Sequence, residues 1–302
     1  MERMMGLSEP VDFIEDRDLS WGARLRQFPA MLALGARMLW RFAHLDRKGD
    51  DFQAYFAQTY ATFDRVHLHE LDLSQLLAEL RRADQELLQH WETPIVNDFY
   101  VMIFNGRVAR RLQAAGLPPD LQNRLLAGEP GIESTAPTHF LMDLAAQVRA
   151  DAALRAAWEA YTDAQLHRLL ARDFPAFHAS CQTYLDRYGD RCMGELKLES
   201  VSLRQDPSFM YAMIRAYLPR PELTADHLGA REQVMRQEAE AEARAALSRR
   251  GWRQLRRDLR RWRAGVRQRE NMRLARTRVF GLHRDLYLEI GRQLAKAGVL
   301  NM

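Results

Sequence analysis

The closing stretch of the chain constrains the fold most. Over residues 252–297, Trp252, Leu255, Leu259 and Trp262 fall at i, i+3, i+7 and i+10, and Val279, Leu282, Leu286 and Ile290 continue an apolar stripe. That spacing puts each set on one side of an α-helix. The rest of the chain repeats the same period. Phe52, Tyr55, Phe56, Tyr60 and Phe63 make an aromatic stripe that reads as core packing. Asp72 and Gln75 form a capping box for the next helix, which is expected to run to Pro94, be interrupted there, resume, and stop at Gly116 before Pro118 and Pro119. After a turn-rich loop at 127–137, Leu141, Leu144, Ala145 and Val148 mark another helix, and further helices are expected over 152–171, 174–187, 207–217 and 222–250. No alternation of period two is longer than Glu195–Ser200. The expected fold is all-α, with at most a short extended piece there. It divides loosely near residue 190 into a helical subdomain (1–190) and a charged connector followed by long arginine-rich helices (191–302).

Composition narrows the function classes. Apolar residues at 47% and charged residues at 28% are those of a soluble globular protein. The longest apolar candidate, residues 28–40, is broken by Arg37 and falls short of the ~20 residues that a membrane span needs, so no membrane is expected. Cys181 and Cys192 are too few for a disulfide framework and suit a cytoplasmic protein. No histidine or cysteine spacing suggests a metal. Neither common glycine-rich phosphate loop is present, and no serine elbow occurs. His139, alone at a helix start, reads as structural.

The net charge of +4 is modest, but its distribution is uneven. From Arg249 to Arg278 thirteen arginines face only Asp258 and Glu270, a local balance of +11 that leaves the remainder 7 units negative. Either an anionic partner meets this stretch or it is a solvated helix face. Arg269, Arg273 and Arg276 fall at i, i+4 and i+7, where three guanidiniums repel unless something anionic sits among them. A ligand and an internal network through Glu270 and Asn271 both remain open. Nucleic acid is disfavoured, because Trp252 and Trp262 share the buried stripe and cannot stack on bases. A second concentration of charge, Arg187, Asp190, Arg191, Glu195, Lys197 and Glu199, surrounds Gly189 and Gly194 on the connector.

Tyr188, Gly189, Arg191 and Glu195, followed by Arg269, Glu270, Asn271 and Arg273, carry a family resemblance. With the segments 94–106 and 125–137, they resemble the helical middle region of phosphoenolpyruvate-utilising phosphotransferases, the phosphoenolpyruvate synthase-like proteins and rifampicin phosphotransferase. The resemblance runs from about residue 3 to 300. It implies a substrate-binding module. Complete enzymes of this kind add an ATP-grasp region and a mobile domain with a phosphorylated histidine in a Gly-Gly-x-x-x-His setting, and this chain contains no Gly-Gly. The resemblance therefore implies a split or truncated phosphotransferase, not competent alone, whose ATP-grasp and phospho-histidine domains come from elsewhere. ATP and Mg belong to the complete enzyme, with no cofactor in this chain, and a small molecule accepts the phosphoryl group. In that setting Arg191 and Lys197 supply catalytic positive charge, and Glu195 orients them or deprotonates the acceptor. Glu199, Arg269, Arg273 and Arg276 bind substrate. Two alternatives stay open: an ion-pair knot tying the connector to the last helix, and a helical scaffold protein whose arginine-rich helix contacts an acidic partner or RNA.

Overall fold

The computed structural model describes residues 21–132, 135–191 and 197–300. Within them, every regular element is helical. The first four helices are α1 (Trp21–Ala43), α2 (Leu45–Phe63), α3 (Leu73–Glu86) and α4 (Glu92–Ala114). After the short α5 (Leu121–Arg124) come α6 (Ala136–Ala150), α7 (Ala152–Ala160), α8 (Asp163–Asp173) and α9 (Pro175–Tyr188). The connector leads to α10 (Ser208–Tyr217), α11 (Ala225–Ala246) and α12 (Arg249–Lys296). The stretch Lys197–Ser200 forms a turn closed by the Ser200 amide on the Lys197 carbonyl, while Glu195, part of the expected extended piece, lies outside the described residues.

Helix α12 is the spine. Its 48 residues span ~72 Å, and Ser248 opens it by accepting the Gly251 amide at 3.1 Å. Two apolar clusters lie along it in succession. Leu255, Leu259, Trp262 and Val266 pack with Tyr100, Phe104 and Val108 of α4 and with Ala239 and Ala243 of α11. Further along, Met272, Val279 and Leu286 meet Phe52, Phe56, Tyr60 and Phe63 of α2 and Leu76 of α3. Both apolar stripes read from the sequence are therefore core, although Tyr55 of the aromatic stripe is turned outward. At Gly265 the two backbones come so close that a Cβ would lie 2.9 Å from Tyr100 and Val101. There the Asn97 amide donates to the Gly265 carbonyl at 2.9 Å.

A third cluster stands apart. Leu144, Trp158, Leu170, Tyr184, Leu185, Leu203 and Tyr211 join helices α6–α10. The expected division at residue 190 falls between Leu185 and Leu203, which share this core.

Two helix boundaries differ from expectation for identifiable reasons. The helix expected over 152–171 is two helices, because Thr162 caps α8 in a box with Gln165. The pattern Thr-x-x-Gln is a helix start, and it overrides continuous helical spacing. The helix expected to run to Pro94 ends at Glu86, and α4 begins at Glu92. Pro94 thus sits in a first turn, where the missing amide hydrogen has no intrahelical partner to lose. The stop at Gly116 is as expected: its φ is +69°, and the Leu117 amide reaches back to the Leu112 carbonyl at 3.0 Å.

Candidate functional site

Arg269, Arg273 and Arg276 share one face of α12, and that face overhangs the start of α4. Together with Glu270 and Met272 they enclose a cleft of about 280 Å³ whose other wall is Trp91, Pro94 and Asp98. Glu270 lies between two of the guanidiniums, 3.1 Å from Arg269 and 3.8 Å from Arg273. All three side chains line the cleft. Arg276 differs: its Nε is buried and has no hydrogen-bond partner among the described residues. A buried guanidinium nitrogen left unmatched is costly, and an anion in the cleft would satisfy it. Across the cleft, burial pushes the Asp98 carboxyl above its ordinary range, although Arg269 and Arg276 pull in the opposite direction.

The connector forms a second polar region on the adjoining face of α12, about 100° round the helix. Its backbone folds back on itself, with the Leu203 amide on the Arg191 carbonyl and the Arg204 amide on the Gly189 carbonyl, at 3.0 and 2.9 Å. Two openings meet here. One, of about 330 Å³, lies between Tyr188, Asp190 and Arg191 on one side and Leu274, Thr277 and Arg278 on the other. The other, of about 370 Å³, lies among Tyr60, Asp64, Asp190, Arg204, Arg278 and Asp285. Asp190 separates them, 3.4 Å from Arg204. Gly281 makes its position possible, since a Cβ there would stand 2.5 Å from the Asp190 carboxyl carbon. Burial pushes the Asp190 carboxyl upward, more than Arg204 and Arg278 lower it. Asp285 is raised as well, by its own burial and then by the charge of Asp190.

The residues singled out from the sequence do not form one constellation. Arg269, Arg273 and Arg276 are together. Arg191 borders the neighbouring opening beside Arg278. Lys197 and Glu199 present exposed side chains, and the Lys197 and Leu198 carbonyls accept from Arg284 at 3.0 and 3.2 Å. Arg284 sits eleven residues beyond Arg273, or ~16 Å along the helix axis. Glu195 lies outside the described residues. Sequence reasoning passed over Asp98, Arg204 and Asp285, and counted Asp190 among the connector charges without giving it a role. Asp190 was on view inside the Tyr-Gly-x-Arg motif, whereas Asp98 becomes a neighbour of Arg276 only through the packing of α4 on α12. The described residues hold no group of three or more histidine, cysteine or acidic side chains that could bind a metal ion. No helix among them is long and apolar enough to cross a membrane.

The family model described as the rifampicin phosphotransferase fourth domain matches residues 90–270, more than half of the chain. That span takes in α4, the connector and the first residues of the cationic cleft. No curated protein matches.

Proposed function

Because the chain belongs to the rifampicin phosphotransferase fourth-domain family, we propose that it is the acceptor-binding helical domain of an ATP-dependent phosphotransferase. It works with ATP-grasp and phospho-histidine domains supplied elsewhere, which hold the ATP and Mg. The observation that carries the reading is the cleft of Arg269, Arg273 and Arg276, with Arg276 Nε buried and unmatched.

Phosphoryl transfer asks little covalent chemistry of the protein. It asks for positioning, and for positive charge around the moving oxygens. Three guanidiniums on one helix face offer parallel N–H donors to a phosphoryl group, and Glu270 keeps two of them aimed before anything binds. In this reading Asp98, on the opposite wall, accepts the proton of an acceptor hydroxyl as the new P–O bond forms and the P–N bond to the incoming phospho-histidine breaks, and its raised pKa suits a group that must gain a proton. Arg191 lends positive charge from the neighbouring opening. Lys197, Glu195 and Glu199 act, in this reading, through the connector that carries them.

The test is transfer from ATP to a rifamycin-class hydroxyl acceptor in a mixture of this chain with separately produced ATP-grasp and phospho-histidine domains. Arg276→Ala is expected to lower turnover by about 10²-fold or more while the chain stays helical. Full activity in that variant would remove the cleft from the reaction.

A further inference from the structure

Most arginines of α12 from residue 263 onward have internal partners. Arg263 meets Glu240 at 2.8 Å, Arg267 meets Glu129 at 3.4 Å, and Arg278 meets Asp64 at 3.3 Å. Arg284 is spent on the connector carbonyls. The first turns of the same helix are different. Arg249, Arg253, Arg256 and Arg260 are all exposed, and none forms an ion pair with a carboxylate of the described residues. They fall at i, i+4, i+7 and i+11, one guanidinium per turn of about 5.4 Å, in a straight row ~16 Å long.

Arg250, Arg257 and Arg261 form a second exposed row beside the first. Arg261 lies over the Phe104 ring, 5.4 Å from its centre. The two rows straddle the side of the helix opposite Leu255 and Leu259, so the ridge points straight outward. The one carboxylate in this stretch, Asp258, is fully buried on the inner side and is taken by Arg107 and Arg111 of α4. The use of arginine is not itself the signal, because Lys48, Lys197 and Lys296 are the only lysines in the chain. The signal is the missing counter-charge. Like charges at this spacing destabilise a helix, and this row keeps four of them unpaired.

We propose that the ridge docks an acidic α-helix of a protein partner, carrying one carboxylate per turn on its facing side. Two helices side by side share the 5.4 Å repeat, so each guanidinium meets a carboxylate in register and can hold it with two N–H donors. Nucleic acid fits the face less well. Stacking bases needs exposed rings among the arginines, whereas Trp262 is buried in the core and Trp252 is partly buried against it.

Two synthetic helical peptides of identical composition test this, one with Glu at i, i+4, i+7 and i+11 and one scrambled, together with a homopolymeric single-stranded RNA. Fluorescence anisotropy at physiological salt is the readout. The patterned peptide is expected to bind roughly tenfold more tightly than either other probe. The triple variant Arg253→Gln/Arg256→Gln/Arg260→Gln should abolish that preference with unchanged helix content. In the corresponding Glu variant, a Lys-patterned peptide should bind in its place. Equal affinity for the two peptides overturns the proposal, and tightest binding to RNA overturns it in favour of a nucleic-acid surface.

Discussion

Helix α12 uses arginine in opposite ways in its first part, residues 249–261, and in the longer part that follows. From residue 263 onward most guanidiniums are tied to Glu129, Glu240, Glu270 or Asp64, so the positive charge is spent on holding loops and helices in place. In the first turns the guanidiniums have no internal acid and face outward. A count of arginines does not show which use each part makes of them. What separates them is whether the fold delivers a carboxylate. The cleft stands between the two cases: Glu270 orients Arg269 and Arg273, yet Arg276 Nε is left unmatched.

The largest expected effect lies on the inner side of the first part. Asp258 is fully buried between Arg107 and Arg111, at 3.3 and 2.8 Å. Asp258→Ala removes the buried carboxylate that ties two partly exposed arginines of α4 to α12 and should cost about 2–4 kcal/mol in urea unfolding. A loss below about 1 kcal/mol would mean that the pairing does not hold α4 to α12.

Glu129 comes next. It is 10% exposed and faces Arg236, Arg263 and Arg267 at 3.5, 4.0 and 3.4 Å, binding the 127–132 loop to the spine. Glu129→Gln should cost about 1–3 kcal/mol by the same measurement. An unperturbed midpoint would erase the contrast between the two parts of the helix.

A smaller effect is expected at the connector, and it depends on pH. The Asp190 carboxyl is raised by burial, so the folded state holds its proton to higher pH than the unfolded state does. Its contribution to stability is therefore fully present below the unfolded carboxylate range and is lost as pH rises through the folded pKa. Asp190→Asn should melt at or above the wild-type temperature at neutral pH, and the difference should close in acid. A variant less stable at neutral pH than in acid, relative to wild type, contradicts this. Smallest of all, neutralising Arg253, Arg256 or Arg260 singly to Gln should change stability by no more than about 0.5 kcal/mol, because no internal partner is lost.

Much of the fold was legible in the sequence, and the reason is local. The spacing of Leu255, Leu259 and Trp262 shows the core side of a helix directly, and Asp72 with Gln75 shows a helix start. The same capping logic at Thr162 and Gln165 outranked the helical spacing that ran across it. The site was legible only by halves. Arg269, Arg273 and Arg276 announce a shared face through their own spacing, but Trp91, Pro94 and Asp98 reach it by tertiary packing, which no local pattern encodes. For the same reason the sequence grouped Lys197 with Arg273, whereas the structure ties the Lys197 carbonyl to Arg284. Charge type is written in sequence; charge pairing is written in the packing.

The most direct measurement is side-chain NMR of the arginine Nε–Hε groups during titration with inorganic phosphate at constant ionic strength. The account predicts a saturable shift of Arg276 together with Arg269 and Arg273, lost in Arg276→Ala, while Arg253, Arg256 and Arg260 do not move. Saturation on the outer ridge with a silent Arg276 would show that the cleft is not where phosphate is received.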